Sequence, residues 1–547
     1  MVFRARVFAY EKRNTLPEGA SILNSIWSYR RKRRPDGTLL KLKTRICADG
    51  SMQEQGRDFT NLYAPVVQWS SVRLCLILAT MLGLPTQQID FTQAFCNADI
   101  DEDVFISIPQ GWYYSIITEQ LEQHHDPKYK DFDYCMQLVK NLYGTKQAAR
   151  NWYLLLSETL TSDHHGFKAS KIDPCLFIRD DCIVLVYTDD CIILGRTQET
   201  IDALKKTLTE VDGFLHRTKG TLNDFLGVRM HMHTTATGDR ELYMTQTGLI
   251  DTILTDVGLI SNTPDPGRSR SQPTTKFVPA TTVLRSDPDA APFDATWSYR
   301  SIIGKLNFLA QNTRPDIAFA VHQCARFVSN PNQTHQAAVK HLCRYLLGTR
   351  DKGLILRPDF NHCLTAYVDA DFAGLWHKDF AHMRETALSR TGFILCYANC
   401  PIIWTSKLQS EIALSTCEAE YIALSMCARS LIPMRTLLTE ISKFRPPAEH
   451  PTLTKTGSAE TIPMLCKQHQ SLVYEDNTGA LEIANQASQY RPRMKHISIK
   501  WHRFRDHVAS GEMTVVKIDT TLQWADFLTK PLTKIPFERL RQLVMGW

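Results

Sequence analysis

The sequence predicts an α+β protein organised in two main units. Hydrophobic residues make up 43% of the 547 residues and charged residues 22%, a balance that can bury a core and is not typical of a disordered chain. Strand-like and helix-like patterns occur in both halves of the chain. Between them, residues 261–297 hold six prolines and many Ser, Thr and Asp residues. Such a composition forms no packed core, so it predicts a linker.

The first predicted element is a hairpin near the N-terminus. Residues 25–34 mix aromatic and basic side chains, Pro35-Asp36-Gly37 supplies the turn, and the segment LLKLKTRI returns as a strand. Alternation along this strand places Lys41, Lys43 and Arg45 on one face and the apolar side chains on the other.

Positive charge is concentrated in the first 50 residues, which include this hairpin. The whole chain has 63 Lys and Arg against 57 Asp and Glu, but residues 1–50 alone hold twelve basic and four acidic residues. A basic block of this size indicates either a polyanionic partner or only a solvated face.

The following elements are apolar. A helix is predicted from about Ser70 to Gly83, ended by Gly83 and Pro85. The segment QIDFTQAF predicts a short strand that runs into a helix. Residues 183–194 predict two apolar strands, joined by a tight turn that carries Thr188, Asp189 and Asp190.

After the linker, a helical segment is predicted from Trp297 to about Gly353. The C-terminal unit opens with the strand LTAYVD, which ends at Asp369. The segment STCEAEYIALSMCARS has helical periodicity, and the strand SLVYED ends at Asp476.

The sequence pattern argues against a membrane-spanning protein, a secreted protein and a zinc site built from cysteines. The longest apolar stretch, residues 74–84, is shorter than the ~18–20 residues that span a bilayer. The first residues lack the sustained apolar core of a signal peptide. The 15 cysteines are scattered and contain no CxxC pair, which is typical of an intracellular, reduced protein and does not predict a zinc site.

Adjacent carboxylates at a hairpin tip are the first chemical signal. Asp189 and Asp190 repel each other unless a cation lies nearby, and the apolar strands hold their turn against a sheet. A third carboxylate, Asp90, ends the stretch LGLPTQQID. Three such groups can hold two Mg²⁺ ions about 3.5–4 Å apart for nucleotidyl transfer. A polar surface turn is the alternative, because Asp pairs are common in turns.

Five short motifs, in order, resemble the copia-type LTR retrotransposon polyprotein in its reverse transcriptase and ribonuclease H portion. The resemblance extends from about Ile26 to Leu532. The motifs are Asp90-Phe91-Thr92-Gln93-Ala94-Phe95, Ile108-Pro109-Gln110-Gly111-Trp112, LYGTKQAARNW at 142–152, Tyr187-Thr188-Asp189-Asp190 and Asp224-Phe225-Leu226-Gly227. Thr188 stands where the family usually has Val, a β-branched residue of similar shape.

The resemblance implies a right-hand polymerase of fingers, palm and thumb. Its metal ligands and catalytic carboxylates would be Asp90, Asp189 and Asp190. Phe95 would be a steric gate against a ribose 2′-OH, and Gln110 would contact the incoming nucleotide. Lys43 and Arg45 would clamp the triphosphate, to which a guanidinium is well suited.

The same resemblance implies a second metal site, in a ribonuclease H-like mixed α/β domain. Asp369, Glu420, Asp476 and Asp526 would be its catalytic metal ligands. Glu420 is preferred over Glu418 because the Tyr-Ile-Ala that follows it matches the start of the family's helix.

These expectations divide the chain into four parts. They are a reverse transcriptase at 1–258, a Pro-rich linker at 259–298, a helical connection at 299–358 and a ribonuclease H-like domain at 359–547. Two Mg²⁺ ions per active site are expected, with Mn²⁺ as a substitute. The expected partners are an RNA template, a DNA primer, an RNA/DNA hybrid and dNTPs, with no membrane and with the oligomeric state left open.

The expected function is RNA-directed DNA synthesis with ribonuclease H activity. The basic segment RPRMKHI at 491–497 could follow a duplex backbone or form a solvated loop.

Two alternatives to this function stay open: a silent or domesticated remnant that binds nucleic acid, and a protein that keeps only the nuclease. The start just before the hairpin and the missing capsid, protease and integrase parts favour a remnant, whereas the complete carboxylate sets favour an enzyme. An intracellular location is expected, in cytoplasmic virus-like particles or the nucleus, without secretion.

Overall fold

The structure is a computed structural model that describes residues 7–33, 39–112, 134–260, 274–287, 289–359, 362–445, 470–485 and 499–547. The predicted turn at 35–37, part of the Pro-rich linker and the basic segment at 491–497 lie outside these residues.

The described residues before the linker form an α+β arrangement of several small sheets. The strands are β1 (Phe8–Lys12), β2 (Ile22–Leu23), β3 (Ser25–Arg33), β4 (Leu39–Ala48), β5 (Thr86–Phe91), β6 (Phe105–Ile106), β7 (Tyr134–Leu138), β8 (Lys168–Ala169), β9 (Leu176–Ile178), β10 (Cys182–Tyr187), β11 (Asp190–Gly195), β12 (His216–Thr221), β13 (Asp224–Phe225), β14 (Val228–Thr234) and β15 (Arg240–Thr245). The central sheet has the order β12-β5-β11-β10-β9-β8, and β1-β7-β6-β2 form a second sheet. The predicted basic hairpin is confirmed as the two-stranded pair β3–β4.

Among the described residues of this half, the helices that support these sheets are α1 (Trp69–Leu82), α2 (Ala148–Thr161), α3 (Gln198–Glu210) and α4 (Thr247–Asp256). The predicted helix ending at Gly83 is confirmed as α1, and Gly83 takes the left-handed conformation (φ +61°) that lets the chain turn. Nearly every side chain of α1 is buried, so its apolar stretch belongs to the core. No helix within the described ranges combines the length and the apolar character that a membrane crossing requires.

One predicted helix is wrong. After β5, the segment QAFCN forms only a 3₁₀ turn at Ala94–Asn97. The physical reason is local: Gln93 has a left-handed backbone (φ +56°) and Ala98 is extended, so neither end can continue an α-helix.

Three helices follow the linker: α5 (Tyr299–Asn312), α6 (Ala318–Ala325) and α7 (Gln333–Gly348). Next comes strand β16 (Leu354–Leu356), which pairs with β15 and so completes the sheet β13-β14-β15-β16. A segment from beyond the linker is therefore built into a sheet of the N-terminal half.

The C-terminal half contains a five-stranded mixed sheet in the order β19-β18-β17-β20-β21. Its strands are β17 (Leu364–Asp371), β18 (Arg390–Tyr397), β19 (Cys400–Leu408), β20 (Ser471–Glu475) and β21 (Met513–Lys517). Its helices are α8 (Thr416–Ile441), α9 (Thr478–Asn485), α10 (Phe504–Ala509), α11 (Asp526–Thr529) and α12 (Lys534–Met545). β17 pairs antiparallel with β18 and parallel with β20, which is the topology of a ribonuclease H-like sheet.

Candidate active sites

The first candidate site is built around the tip of the β10–β11 hairpin. Tyr187 pairs with Asp190, so Thr188 and Asp189 form the turn. The indole Nε1 of Trp152 donates a hydrogen bond of 2.7 Å to the carbonyl oxygen of Thr188. The register of β11 against β5 places Asp190 directly opposite Asp90. The fold therefore brings the three polymerase carboxylates predicted from sequence to one edge of the central sheet.

These carboxylates are partly buried, and their charges affect one another. Burial raises the pKa of Asp189, and the neighbouring charges of Asp90 and Asp190 raise it further. Lys219 on β12 forms an ion pair with Asp190. A polyanionic site of this kind is stabilised by cations.

A cavity of about 540 Å³ lies between this edge and the basic hairpin. Lys43 and Arg45 line it from β4, and Asp90 and Asp189 line it from the central sheet. The guanidinium of Arg45 lies over the ring of Tyr143, 4.6 Å from its centroid, which fixes its direction. Cations and carboxylates therefore face one another across a space large enough for a nucleotide.

Two predicted contact residues are not among the side chains that line this cavity. The ring of Phe95 packs on Tyr143, with the centroids 5.1 Å apart. The Gln110 side chain is exposed, and its backbone carbonyl accepts a 2.9 Å hydrogen bond from Trp27 Nε1. The roles of steric gate and nucleotide contact stay predictions for these two residues.

Sequence reasoning missed other lining residues, among them Gln93, Tyr143 and Arg217. Gln93 and Tyr143 lie inside the recognised motifs, so a signal was available for them. Arg217 reaches the cavity because β12 pairs with β5 and places it opposite Asp90. No local pattern marks that pairing.

The second candidate site lies on the C-terminal sheet. Carboxylate oxygens of Asp369, Glu420 and Asp476 all lie within 4.8 Å of one another. Asp369 comes from the central strand β17, Glu420 from the second turn of α8, and Asp476 directly follows β20. Glu418 is used differently: its Oε2 accepts a 2.8 Å hydrogen bond from the backbone N–H of Leu414.

The fourth predicted ligand, Asp526, begins the short helix α11 beside this cluster. Lys530 Nζ lies 2.9 Å from Asp526 Oδ1 and 3.9 Å from Asp369 Oδ2, so one ammonium group faces both carboxylates. The hydroxyl of Thr529 donates to Asp369.

Burial of these carboxyl groups disfavours their charged forms. Burial and the charges of neighbouring carboxylates together raise the pKa of Glu420 to about 11 and that of Glu475 to about 8. Within the described chain, Glu420 Oε2 and Glu475 Oε2 are buried and accept no hydrogen bond. An all-oxygen donor set with unpaired buried acceptors fits a hard divalent cation such as Mg²⁺ or Mn²⁺. Glu475 was not predicted as part of the site.

The chain is similar to known proteins over most of its length. Residues 12–266 match a family described as "Reverse transcriptase (RNA-dependent DNA polymerase)". The chain is 30% identical, over 97% of its length, to 36% of the "Retrovirus-related Pol polyprotein from transposon TNT 1-94" of Nicotiana tabacum. It is 31% identical, over 95% of its length, to 31% of the corresponding polyprotein from transposon RE1 of Arabidopsis thaliana. The chain thus spans about a third of the length of these curated relatives.

Among solved structures, the chain is similar to "Structure of the foamy viral protease-reverse transcriptase dRH in complex with ds DNA". The sequence identity is 12% and the TM-score 0.45, and the match covers 95% of this chain and 68% of that one.

Proposed function

Because the chain belongs to the copia-type retrotransposon Pol polyproteins, with a reverse transcriptase domain at residues 12–266, we propose that it copies RNA into DNA and cleaves RNA in the resulting hybrid. The observation that carries the polymerase part is the cavity in which Lys43 and Arg45 face Asp90 and Asp189. Its proposed substrates are dNTPs, an RNA template and a DNA primer.

In this proposal, the basic residues bind the triphosphate and the carboxylates bind the cations. Arg45, held against Tyr143, orients the triphosphate through the two parallel N–H groups of its guanidinium, and Lys43 adds a point charge. Asp90, Asp189 and Asp190 would hold the cations, and Asp369, Glu420, Asp476 and Asp526 would do so at the second site. When bound, two divalent ions at each site would activate the attacking oxygen and stabilise the leaving oxygen in an in-line displacement.

Two substitutions separate the proposed activities. Asp189→Asn should abolish primer extension on poly(rA)/oligo(dT) with Mg²⁺ and leave hybrid cleavage intact. Asp476→Asn should abolish hybrid cleavage and leave primer extension intact. Asp351→Asn, which removes an exposed carboxylate outside both sites, is the matched control and should leave both activities unchanged.

The outcome also separates the alternatives. Full dNTP incorporation by Asp189→Asn would contradict the assignment of the polymerase site. A wild-type chain that only cleaves hybrid would be a nuclease, and one that binds hybrid without either reaction would be a silent binding protein.

A further inference from the structure

A second type of polar cluster lies outside both carboxylate sites. His164 and His165 follow the end of α2, and Asp212 follows the end of α3. Nε2 of His164 lies 3.1 Å from Asp212 Oδ1, and Nε2 of His165 lies 2.7 Å from Asp212 Oδ2. All three side chains can place a ligand atom within 4.8 Å of the others. Two imidazoles and one carboxylate thus converge on one point.

The hydrogen bonds around His164 fix which of its nitrogens carries a proton. The hydroxyl of Ser162 donates its single hydrogen to the carbonyl oxygen of Thr159, 2.5 Å away. Ser162 Oγ must therefore accept from Nδ1 of His164, which lies 2.9 Å away. In the neutral ring, Nε2 then has a lone pair that points at a carboxylate oxygen.

Two lone pairs at 3.1 Å repel each other unless a cation is shared between them. A proton or a metal ion can fill this role. Outer hydrogen bonds from Nδ1 to an oxygen are the usual support of a metal-binding imidazole, and Ser162 supplies one. The donor set also discriminates between ions, because imidazole nitrogen suits Zn²⁺ whereas Mg²⁺ prefers oxygen.

We propose that His164, His165 and Asp212 form a Zn²⁺ site, with water as the fourth ligand. Metal–ligand bonds of about 2.0–2.1 Å place tetrahedral ligands about 3.3 Å apart. His164 Nε2 and Asp212 Oδ1 are already 3.1 Å apart, and one ligand atom from each of the three residues lies within 4.8 Å of the others. Asp212 and His165 are largely buried, whereas the His164 side chain is 46% exposed and gives the ion a path of entry. Cysteine spacing could not reveal such a site.

The zinc site has a structural consequence for the edge of the central sheet that carries Asp90, Asp189 and Asp190. Two residues after Asp212, Phe214 packs on Trp152 and Phe91, with ring centroids 5.4 and 6.0 Å away. Phe91 is the neighbour of Asp90, and Trp152 holds the carbonyl of Thr188. A zinc ion at Asp212 would fix the loop that positions this aromatic cluster.

Zinc retention by the full chain tests the proposal. Wild type, His164→Ala, Asp212→Asn and the control His362→Ala are loaded with ZnSO₄ and dialysed against excess Mg²⁺, which occupies the carboxylate sites. His362 is the matched control because it pairs with Asp359 at 2.7 Å and belongs to no such three-residue cluster in the described chain. Bound zinc is then measured by atomic absorption.

Wild type and His362→Ala should retain about one equivalent of zinc more than His164→Ala and Asp212→Asn. Zn²⁺ should also raise the melting temperature of the first pair only, because a ligand that binds the folded state stabilises it. In the Co²⁺-loaded wild type, the visible absorption should be the intense spectrum of a tetrahedral ion. Equal zinc contents in wild type and His164→Ala would overturn the proposal, and the cluster would then be a proton-bridged pair.

Discussion

Arg45 shows how a single side chain connects the sequence motif to the proposed chemistry. It lies on the same face of β4 as Lys43, and Tyr143 supports its guanidinium from a different part of the chain. The motif alone indicated a phosphate contact. The stacking on Tyr143 adds a reason why the planar guanidinium, and not merely a positive charge, is needed at this position.

Replacing Arg45 with Lys should therefore weaken nucleotide binding. The charge is kept, but the stacked plane and the paired N–H donors are lost, so the KM for dNTP should rise about tenfold while kcat changes less. Steady-state primer extension measures both constants. Arg31→Lys is the control, because Arg31 pairs with Leu42 on the other face of the hairpin. Equal KM values for the two variants would contradict a role for the Arg45 plane.

The carboxylates of the second site should make stability depend on pH when no divalent cation is present. Burial raises the pKa of Glu475 to about 8 and that of Asp526 to about 7, above the ordinary values of about 4 in an unfolded chain. The folded state thus favours their protonated forms. This contribution to stability is complete below about pH 4 and is lost as the pH rises through 7 and 8.

In EDTA, the melting temperature should accordingly fall between pH 4 and pH 8, by about 1 °C for each kcal/mol lost in a chain of 547 residues. Glu475→Gln should flatten this slope, because the amide cannot ionise, and Mg²⁺ should do the same in wild type. Calorimetry at several pH values measures the effect. Glu158→Gln, an exposed change on α2, should keep the wild-type slope. A slope in Glu475→Gln as steep as that in wild type would refute this explanation.

At the scale of elements, the β10–β11 hairpin combines strain with support. Thr188 has a positive φ of +56°, which is unfavourable for a β-branched residue. Two hydrogen bonds to backbone carbonyls hold the turn: Trp152 Nε1 to Thr188 at 2.7 Å and the Phe91 N–H to Asp189 at 2.8 Å. The position of Asp189 therefore depends on helix α2 and strand β5 as well as on its own hairpin.

Trp152→Phe keeps most of the packing but removes the donor to Thr188. A fully buried carbonyl without a donor costs about 1–3 kcal/mol, and the partly buried carbonyl of Thr188 should lose part of that, so the strained turn should relax and displace Asp189. The rate of primer extension should fall about tenfold, which corresponds to about 1.4 kcal/mol, with hybrid cleavage unchanged.

A second tryptophan provides the control for this change. Trp547 Nε1 also donates a 2.7 Å hydrogen bond to a backbone carbonyl, that of Gly353, far from the hairpin. Trp547→Phe should leave extension intact. If both variants extend primers at the wild-type rate, the Trp152 bond does not position Asp189.

The elements differ in how far sequence could predict them. Apolar strands around Asp189 and Asp190 specify a buried hairpin, because the continuous apolar runs Cys182–Val186 and Cys191–Leu194 leave no polar face for solvent, and the structure buries every residue of both runs. The segment after β5 was harder to predict, since the left-handed backbone of Gln93 prevents an α-helix from starting there and no sequence pattern marked that conformation. Lys219 and Arg217 could not be placed from sequence, because their proximity to Asp190 and Asp90 comes from the long-range pairing of β12.

At the scale of the whole molecule, one buried arginine joins the two halves. Arg73 on α1 donates from Nε to the carbonyl of Ile402 on β19, at 2.8 Å, and from a terminal nitrogen to the carbonyls of Gln311 and Asn312 at the end of α5. Its guanidinium lies over the ring of Trp404, 4.4 Å from the centroid. Arg73 is only 5% exposed, and this burial lowers its pKa to about 9.

Arg73→Ala should loosen the contact between the central sheet and the C-terminal sheet. Two or three buried carbonyl groups would lose their donor, at about 1–3 kcal/mol each, and the stacking on Trp404 would be lost as well. We expect Arg73→Ala to melt at a lower temperature than wild type. On heating, the variant should lose primer extension and hybrid cleavage at different temperatures, whereas wild type should lose both at the same temperature. Lys206→Ala is the control, because Lys206 and Glu210 form an exposed pair on α3, 3.8 Å apart, that is worth less than about 1 kcal/mol. If Arg73→Ala and Lys206→Ala melt at the same temperature, the coupling between the halves must depend on the apolar packing of α1 alone, since that packing is untouched by either change.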